Sequence, residues 1–524
     1  MPSRSAARFI LILAISLSLI ISAIAQSKSG PARKNADLAA RIARVEAGIP
    51  PIPISGTEPP EQLNLVKLMQ LYKCPGLSVA VIDNFKIAWA KGYGVIEAGS
   101  NTPVTLHTLF QAGSISKPVA ATGTLSLVEH GKLSLDENVN LKLKSWRVPD
   151  NEFTKDPKVT LRRILSHSAG LTVHGFPGYE AGSPIPTLVQ ILNGEPPANT
   201  APIRVDMVPG TKFRYSGGGV TIEQQLVMDV TGKTFPQFMR QTVLDKIGML
   251  NSTYQQPLPP ARAAVAATAT HADGMAVPGR WHIYPEMAAA GLWTTATDLA
   301  KFAIEIALSK QGKANHVLTQ AMAREMLKPQ IEQFGLGFFL ASHKNPEEFG
   351  HDGADEGFQA LLIMFADSGK GVAIMANSDN GISVANQLIQ SVAKEYGWNY
   401  TPDRMSAAGL LMFIANIKGP QAVIQRYSEL KKAGSTSPYA LDENTLIALG
   451  YHFLFAEQTD AALQIFQLEV QDYPKFWNAY DSLGEAFLKA GQKELAIMNY
   501  QKSVELNPEN HSGIEALKKL RDQK

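Results

Sequence analysis

A single cysteine, Cys74, in a chain of 524 residues excludes an intramolecular disulfide. A lone thiol of this kind reads as a small buried hydrophobe rather than a nucleophile. Net charge is scarce as well. The formal excess is +2, and Arg4 and Arg8 account for all of it, so the chain beyond residue 25 is formally neutral. A neutral protein lacks the electrostatic footprint of a nucleic-acid binder. Long apolar runs are missing after the first 25 residues, which excludes a later membrane span. Several signatures of chemistry are absent too: there is no Gly-x-Ser-x-Gly elbow, no His-Glu-x-x-His and no Cys-x-x-Cys. Gly232-Lys233-Thr234 has the end of a phosphate-binding loop, but Val227 stands where its first glycine belongs. No metal or organic cofactor is implied.

What is present is the composition of a folded protein, with 45% hydrophobic and 18% charged residues. The length predicts two or three units. Arg4 and Arg8, the apolar run Phe9 to Ser22 and the small residues Ala23-Ile24-Ala25 form the three-part pattern of a cleaved signal peptide over 1–25. The run is short for a bilayer crossing of about 20 residues, so the chain is expected to be exported, to the bacterial periplasm or the medium, without a stable span. Residues 26–60 end rich in proline and read as a leader.

Two hairpins stand far apart in the sequence. Leu77 to Ile82 and Lys86 to Ala90 flank Asp83-Asn84, while Phe358 to Phe365 and Gly371 to Met375 flank Asp367 to Lys370. Between them, Val220 to Val230, Phe235 to Val243 and Thr297 to Ala307 have helical spacing. The pattern predicts an α+β domain over 61–400 whose two ends meet in one antiparallel sheet flanked by helices. Beyond about Tyr400 a 34-residue offset relates Gly450 to Gly484, Ala462 to Ala496, Phe466 to Tyr500 and Pro474 to Pro508. The tail, 401–524, therefore reads as an all-α domain. Over 442–509 it resembles the tetratricopeptide repeat, with 513–521 as a capping helix and 406–432 as an earlier pair. Two repeats are few for independent stability, so the tail is expected to pack on the preceding domain. It would offer a protein docking surface or a lid.

Ser114-Ile115-Ser116-Lys117 places a hydroxyl and an amine three positions apart, on one face of a helix. Such an amine can take the serine proton only if its surroundings depress its pKa. The same spacing recurs at Ser391-Lys394 and Ser428-Lys431, which read as solvated helix faces. Only Ser114 is followed in order by Tyr215-Ser216-Gly217 and His351-Asp352-Gly353. This ordered set, with Leu165-Ser166-His167-Ser168-Ala169-Gly170-Leu171 and Gly291-Leu292-Trp293-Thr294-Thr295 between, resembles the serine β-lactamase and DD-peptidase superfamily. Tyrosine in the second motif and histidine in the third resemble its class C-like branch, with its family VIII carboxylesterases and D-amino-acid-specific peptidases.

The resemblance covers roughly 62–398 and implies the roles. Ser114 would be the nucleophile, Lys117 its partner, Tyr215 a phenol or phenolate proton shuttle, and His351 the residue beside the cleft. The backbone N–H groups of Ser114 and Ala354 would form the oxyanion hole. Gly217 and Gly353 would line the substrate cleft, and His167 reads as packing. Gly217 replaces the asparagine of β-lactamases, and His351 replaces a fixed positive charge with one that fades near neutral pH. Both departures point away from efficient β-lactam hydrolysis, toward a small-molecule or peptide ester or amide. The rival expectation is an inactive penicillin-binding-like module whose repeats recruit a protein partner. The complete Ser-Lys-Tyr set argues against it.

Overall fold

The computed structural model describes residues 31–51, 62–402, 405–508 and 510–522. The signal-peptide reading of 1–25 lies outside them. Within the stretch read as a leader, 31–47 form a helix, α1 (Pro31–Ala47). It is not a loose tether, because Val45 and Ile49 are buried and Arg41 and Arg44 pair with Glu395. A short α2 (Leu65–Leu71) follows. Among the described residues no helix is long and apolar enough to cross a membrane.

The sheet is built from the two hairpins and one more pair. β1 (Gly76–Asp83) turns through Asn84 and Phe85, both left-handed, into β2 (Lys86–Gly94). Two such residues set the twist that a two-residue hairpin needs. The later strands are β3 (Phe339–Leu340), β4 (Glu348–Asp355), β5 (Phe358–Phe365) and β6 (Lys370–Ala376). Their order is β2-β1-β6-β5-β4-β3, every pair antiparallel, so β1 and β6 join the two ends of the domain. Strand alternation splits the side chains between two cores. Ala80, Ile82, Leu362, Met364, Ala373 and Met375 face one, with α3 (Ser116–Glu129), α4 (Gly217–Thr231) and α5 (Ala296–Lys310). Val79, Val81, Leu361, Ile363, Val372 and Ile374 face the other, with α6 (Gly381–Tyr396). The helix expected over Phe235 to Val243 is broken. It runs Phe235–Met239 and then widens into a π turn over Arg240–Leu244.

The tail is helical: α7 (Ala407–Lys418), α8 (Pro420–Ala433), α9 (Thr445–Phe455), α10 (Thr459–Asp472), α11 (Trp477–Lys489), α12 (Lys493–Leu506) and α13 (His511–Asp522). A Cβ on Gly450 would meet the Phe466 ring at 2.2 Å, and one on Gly484 would meet Tyr500 at 3.1 Å. The same small-on-aromatic contact thus recurs at the sequence offset. The tail shares the second core with the sheet. Tyr72 Oη donates to Gly409 O at 3.1 Å, Asn416 Nδ2 donates to Leu71 O at 3.1 Å, and Tyr72 packs on Phe413. The helices therefore lie on the face opposite α3 and Ser114, not over them. Ser391 corrects an expectation, being buried with its hydroxyl donating to Val45 O at 2.7 Å.

Because this core is shared, deleting 401–524 is expected to lower the melting temperature by about 10 °C or more. Each large apolar side chain stripped of cover forfeits roughly 1.5–3 kcal/mol. Scanning calorimetry of full and shortened chains checks this. A shortened chain melting within about 2 °C of the full one would show the tail to be independent.

Candidate active site

Ser114 sits in a tight 3-10 turn, Gly113–Ile115, that feeds directly into α3. The helix is made of small residues because it is buried nearly throughout, from Ser116 to Leu127. Gly123 is one such position, where a Cβ would meet Met239 Sδ at 2.9 Å. The turn is held from outside: Leu292 N–H donates to Ser116 Oγ at 3.0 Å and Tyr254 Oη to Ser116 O at 2.7 Å. Lys117, buried one step along, donates from Nζ to Ser114 Oγ at 2.9 Å and to Ala289 O at 2.8 Å. Burial pushes its pKa down to about 7, against the opposing pull of Asp355, Asp352 and Glu223. Near neutral pH a large share of this amine is therefore unprotonated and able to accept a proton.

Tyr215 precedes α4, whose start is capped by the Ser216 hydroxyl accepting from Gly219 N–H at 2.9 Å. Its ring is clamped by His167, with centroids 4.2 Å apart, by His174 at 4.9 Å and by Phe339 at 6.4 Å. Lys117 Nζ stands 4.9 Å from the centre of the same ring. The Tyr215 hydroxyl is shut off from solvent and makes no well-formed hydrogen bond among the described residues. Burial raises its pKa above the ordinary phenol range, and the nearby Ser114 hydroxyl opposes that only in part. Of the two expected forms, phenol and phenolate, burial favours the phenol. His167 adopts a left-handed backbone, and its Nδ1 accepts from Ser216 N–H at 3.2 Å. Burial holds it neutral, so it serves as packing for Tyr215.

The third piece is the edge strand. β3 pairs with β4 only at Phe349 and Gly350, so from His351 onward that edge of β4 is free to meet the turn that carries Ser114. Gly353 makes the meeting possible, since a Cβ there would fall 2.0 Å from Ala112 O and 3.1 Å from Ser114 N. Gly113 answers it from the other side, where a Cβ would lie 2.5 Å from Ala354 N. The backbones of Ser114 and Ala354 are thereby brought together. His351 packs between Tyr215 and Phe339, with ring centroids 6.0 and 5.1 Å away. Its Nδ1 lies 2.5 Å from Asp352 O, and burial pushes its pKa to about 4. The ring is neutral at pH 7.

Gly217 departs from expectation. It does not line an open cleft, because the segment 172–176 covers it. Its N–H donates to His174 O at 2.9 Å, and a Cβ would meet that oxygen and the Phe176 ring at 3.0 Å each. Three acids were invisible in the sequence. Glu223 and Asp355 are buried near Lys117, and Glu286 is buried near Asp355. Glu223 accepts from Thr124 Oγ1 at 2.6 Å, while the oxygens of Glu286 and Asp355 find no well-formed partner among the described residues. Desolvation lifts Glu223 and Glu286 to about 8 and Asp355 well above the usual carboxyl range. Burial thus disfavours the charged form of all three, and the Lys117 amine opposes that shift at Glu223 and Asp355. Cys74 is buried as expected, its thiol pushed up to about 12.

The profile of the family described as beta-lactamase matches residues 63–397. An unguisins hydrolase of Aspergillus violaceofuscus is 28% identical over 356 residues, covering 59% of this chain and 59% of that enzyme. The chain thus spans about three-fifths of that relative's length. Penicillin-binding protein 4 of Amycolatopsis lactamdurans is 24% identical over 341 residues, covering 61% of this chain and 85% of its own. Among solved structures, the octameric penicillin-binding protein homologue from Pyrococcus abyssi aligns over 64% of this chain and 76% of that one. Its TM-score is 0.51 at 21% identity, a likeness of fold.

Proposed function

The chain belongs to the beta-lactamase family of serine hydrolases, and from that premise we propose that it is an exported hydrolase working through a Ser114 acyl-enzyme. The observation that carries this reading is the 2.9 Å contact between Lys117 Nζ and Ser114 Oγ, made by an amine whose pKa burial has brought to about 7. Lys117 takes the hydroxyl proton as Ser114 Oγ attacks a carbonyl carbon. The N–H groups of Ser114 and Ala354 receive the developing oxyanion. Tyr215, a phenol, passes a proton to the leaving group, which departs as alcohol or amine. Water then adds to the acyl carbonyl, returns the proton by the same groups and frees the acid.

Tyrosine at 215 and histidine at 351 support a class C-like placement. A neutral His351 and a covered Gly217 offer a substrate carboxylate and amide little to hold, so short esters or D-peptides are favoured over β-lactams. Hydrolysis itself has a parallel in the name of the unguisins hydrolase. The helix pairs of 442–509, with their 34-residue offset, are read as tetratricopeptide repeats in a tail domain, 401–524, that offers a docking surface for a protein.

Intact-mass spectrometry of wild type and Ser114→Ala, each with a fluorophosphonate, an activated short-chain ester and a penicillin, tests the proposal. A covalent adduct is expected on wild type alone, on the peptide bearing Ser114, with fast turnover of the ester. An adduct that persists in Ser114→Ala, or none in folded wild type, would overturn it.

A further inference from the structure

Beyond Ala354 the hairpin from β4 to β5 turns through Glu356 and Gly357, away from the nucleophile. A group outside the machinery above gathers at this turn. His271 Nδ1 is 3.1 Å from Glu356 Oε1 and 3.6 Å from Asp379 Oδ2, and one ligating atom from each residue lies within 4.8 Å of the others. The three side chains are about a third exposed, at 35%, 37% and 30%. They come from three segments that the backbone locks together. Thr270 N–H donates to Gly357 O at 3.2 Å, Asp379 N–H to Thr270 O at 3.0 Å, and Gly357 N–H to Asp379 Oδ1 at 2.7 Å. Only glycine fits the turn, since Gly357 has φ +70° and a Cβ there would lie 2.6 Å from Thr270 N. These are not three flexible surface ends that happen to meet.

We propose that His271, Glu356 and Asp379 bind a divalent transition-metal ion of the zinc type, a role separate from the acyl-enzyme chemistry. A four-coordinate zinc with bonds of about 2.0–2.1 Å holds its donor atoms about 3.3 Å apart. The two separations from the imidazole nitrogen fall on either side of that figure. One imidazole and two carboxylates suit a borderline ion, whereas calcium takes six or more oxygens and magnesium keeps most of its waters. Asp379 Oδ2, the oxygen facing His271, is the ligand, while Oδ1 accepts from the Gly357 amide, the outer support that metal-binding carboxylates have. Two carboxylates against one imidazole also leave negative charge for a cation to offset. With water in the fourth position, the ion pins the turn two residues beyond Ala354.

Full-length protein, stripped with a chelator and dialysed, is titrated with zinc by calorimetry beside His271→Ala and Glu356→Gln, with calcium as control. The expected result is one zinc site of micromolar or tighter affinity, weakened at least about ten-fold by either substitution. No zinc uptake, uptake indifferent to both substitutions, or calcium binding in place of zinc would overturn the assignment. A second readout needs no variant. In wild type, zinc is expected to shield His271 from diethylpyrocarbonate, mapped by peptide mass spectrometry, and equal modification with and without zinc would overturn it. None of these readouts depends on Ser114, so failure of the metal site and failure of the hydrolase reading are separable.

Discussion

Lys117→Met is expected to lower kcat/KM toward an activated ester by about a thousand-fold or more while leaving the protein at least as stable as wild type at pH 7. The first half follows from the loss of the amine 2.9 Å from Ser114 Oγ that takes its proton, a service worth about 10²–10⁴ in rate. The second half follows from linkage. Burial lowers the Lys117 pKa from 10.5 to about 7, so the folded state binds this proton more weakly than the unfolded one. Stability from this group therefore rises with pH between about 7 and 10.5, and the cost is full below 7. At neutral pH that cost is of the order of a few kcal/mol, offset in the variant by leaving Ala289 O without its donor, about 1–3 kcal/mol. The wild-type rate should climb through pH about 7 and fall about ten-fold per unit below it. His351, at about 4, and Tyr215, raised above the phenol range, lie outside that window, while the buried Glu223 and Glu286, at about 8, are expected to add only a shoulder above the Lys117 step. Rates from pH 5 to 9 and melting curves of both proteins check this. A flat profile, or a variant within about ten-fold of wild type, would remove Lys117 as the base.

The legible parts of this molecule are those where one rule dominates. β1, β2, β5 and β6 were readable because β-prone apolar runs flank short turns, and two hairpins at the two ends of the domain suggested the shared antiparallel sheet in which β1 pairs with β6. α4 and α5 were readable from apolar spacing. β4 was not. Glu348-Phe349-Gly350-His351-Asp352-Gly353-Ala354-Asp355 has no alternation, because this strand is buried by close backbone contact with the nucleophile turn rather than by an apolar face. It was located only through the His-x-Gly resemblance. Glu223, Glu286 and Asp355 look like surface acids in any composition reading, and nothing in the sequence says that they are buried. Gly217 belongs to the second motif but does not line an open cleft, since the upstream segment 172–176 covers it. Ser391 was misjudged for a related reason: α1, which buries it, lies in a stretch that reads as a leader.

Gly353 is where backbone contact and chemistry coincide, and Gly353→Ala is expected to lower kcat by about 10²–10³ with a smaller change in KM. A methyl group 2.0 Å from Ala112 O must push the β4 edge off the nucleophile turn. That separates Ala354 N–H from Ser114 N–H, and one misplaced oxyanion donor costs about this much in acyl transfer. The backbone at 353 is extended, so the substitution brings no left-handed strain, and the penalty is one of space alone. Gly175→Ala is the control: a Cβ there meets nothing within 4 Å among the described residues, and the variant is expected to match wild type. The readout is steady-state kinetics on an activated ester together with the rate of fluorophosphonate labelling of Ser114. Both should fall together, because both reactions build negative charge on an oxygen held by the same two amides. Slowed kinetics with unchanged labelling would place the damage in substrate binding, and unchanged kinetics would mean that Ala354 is not an oxyanion donor.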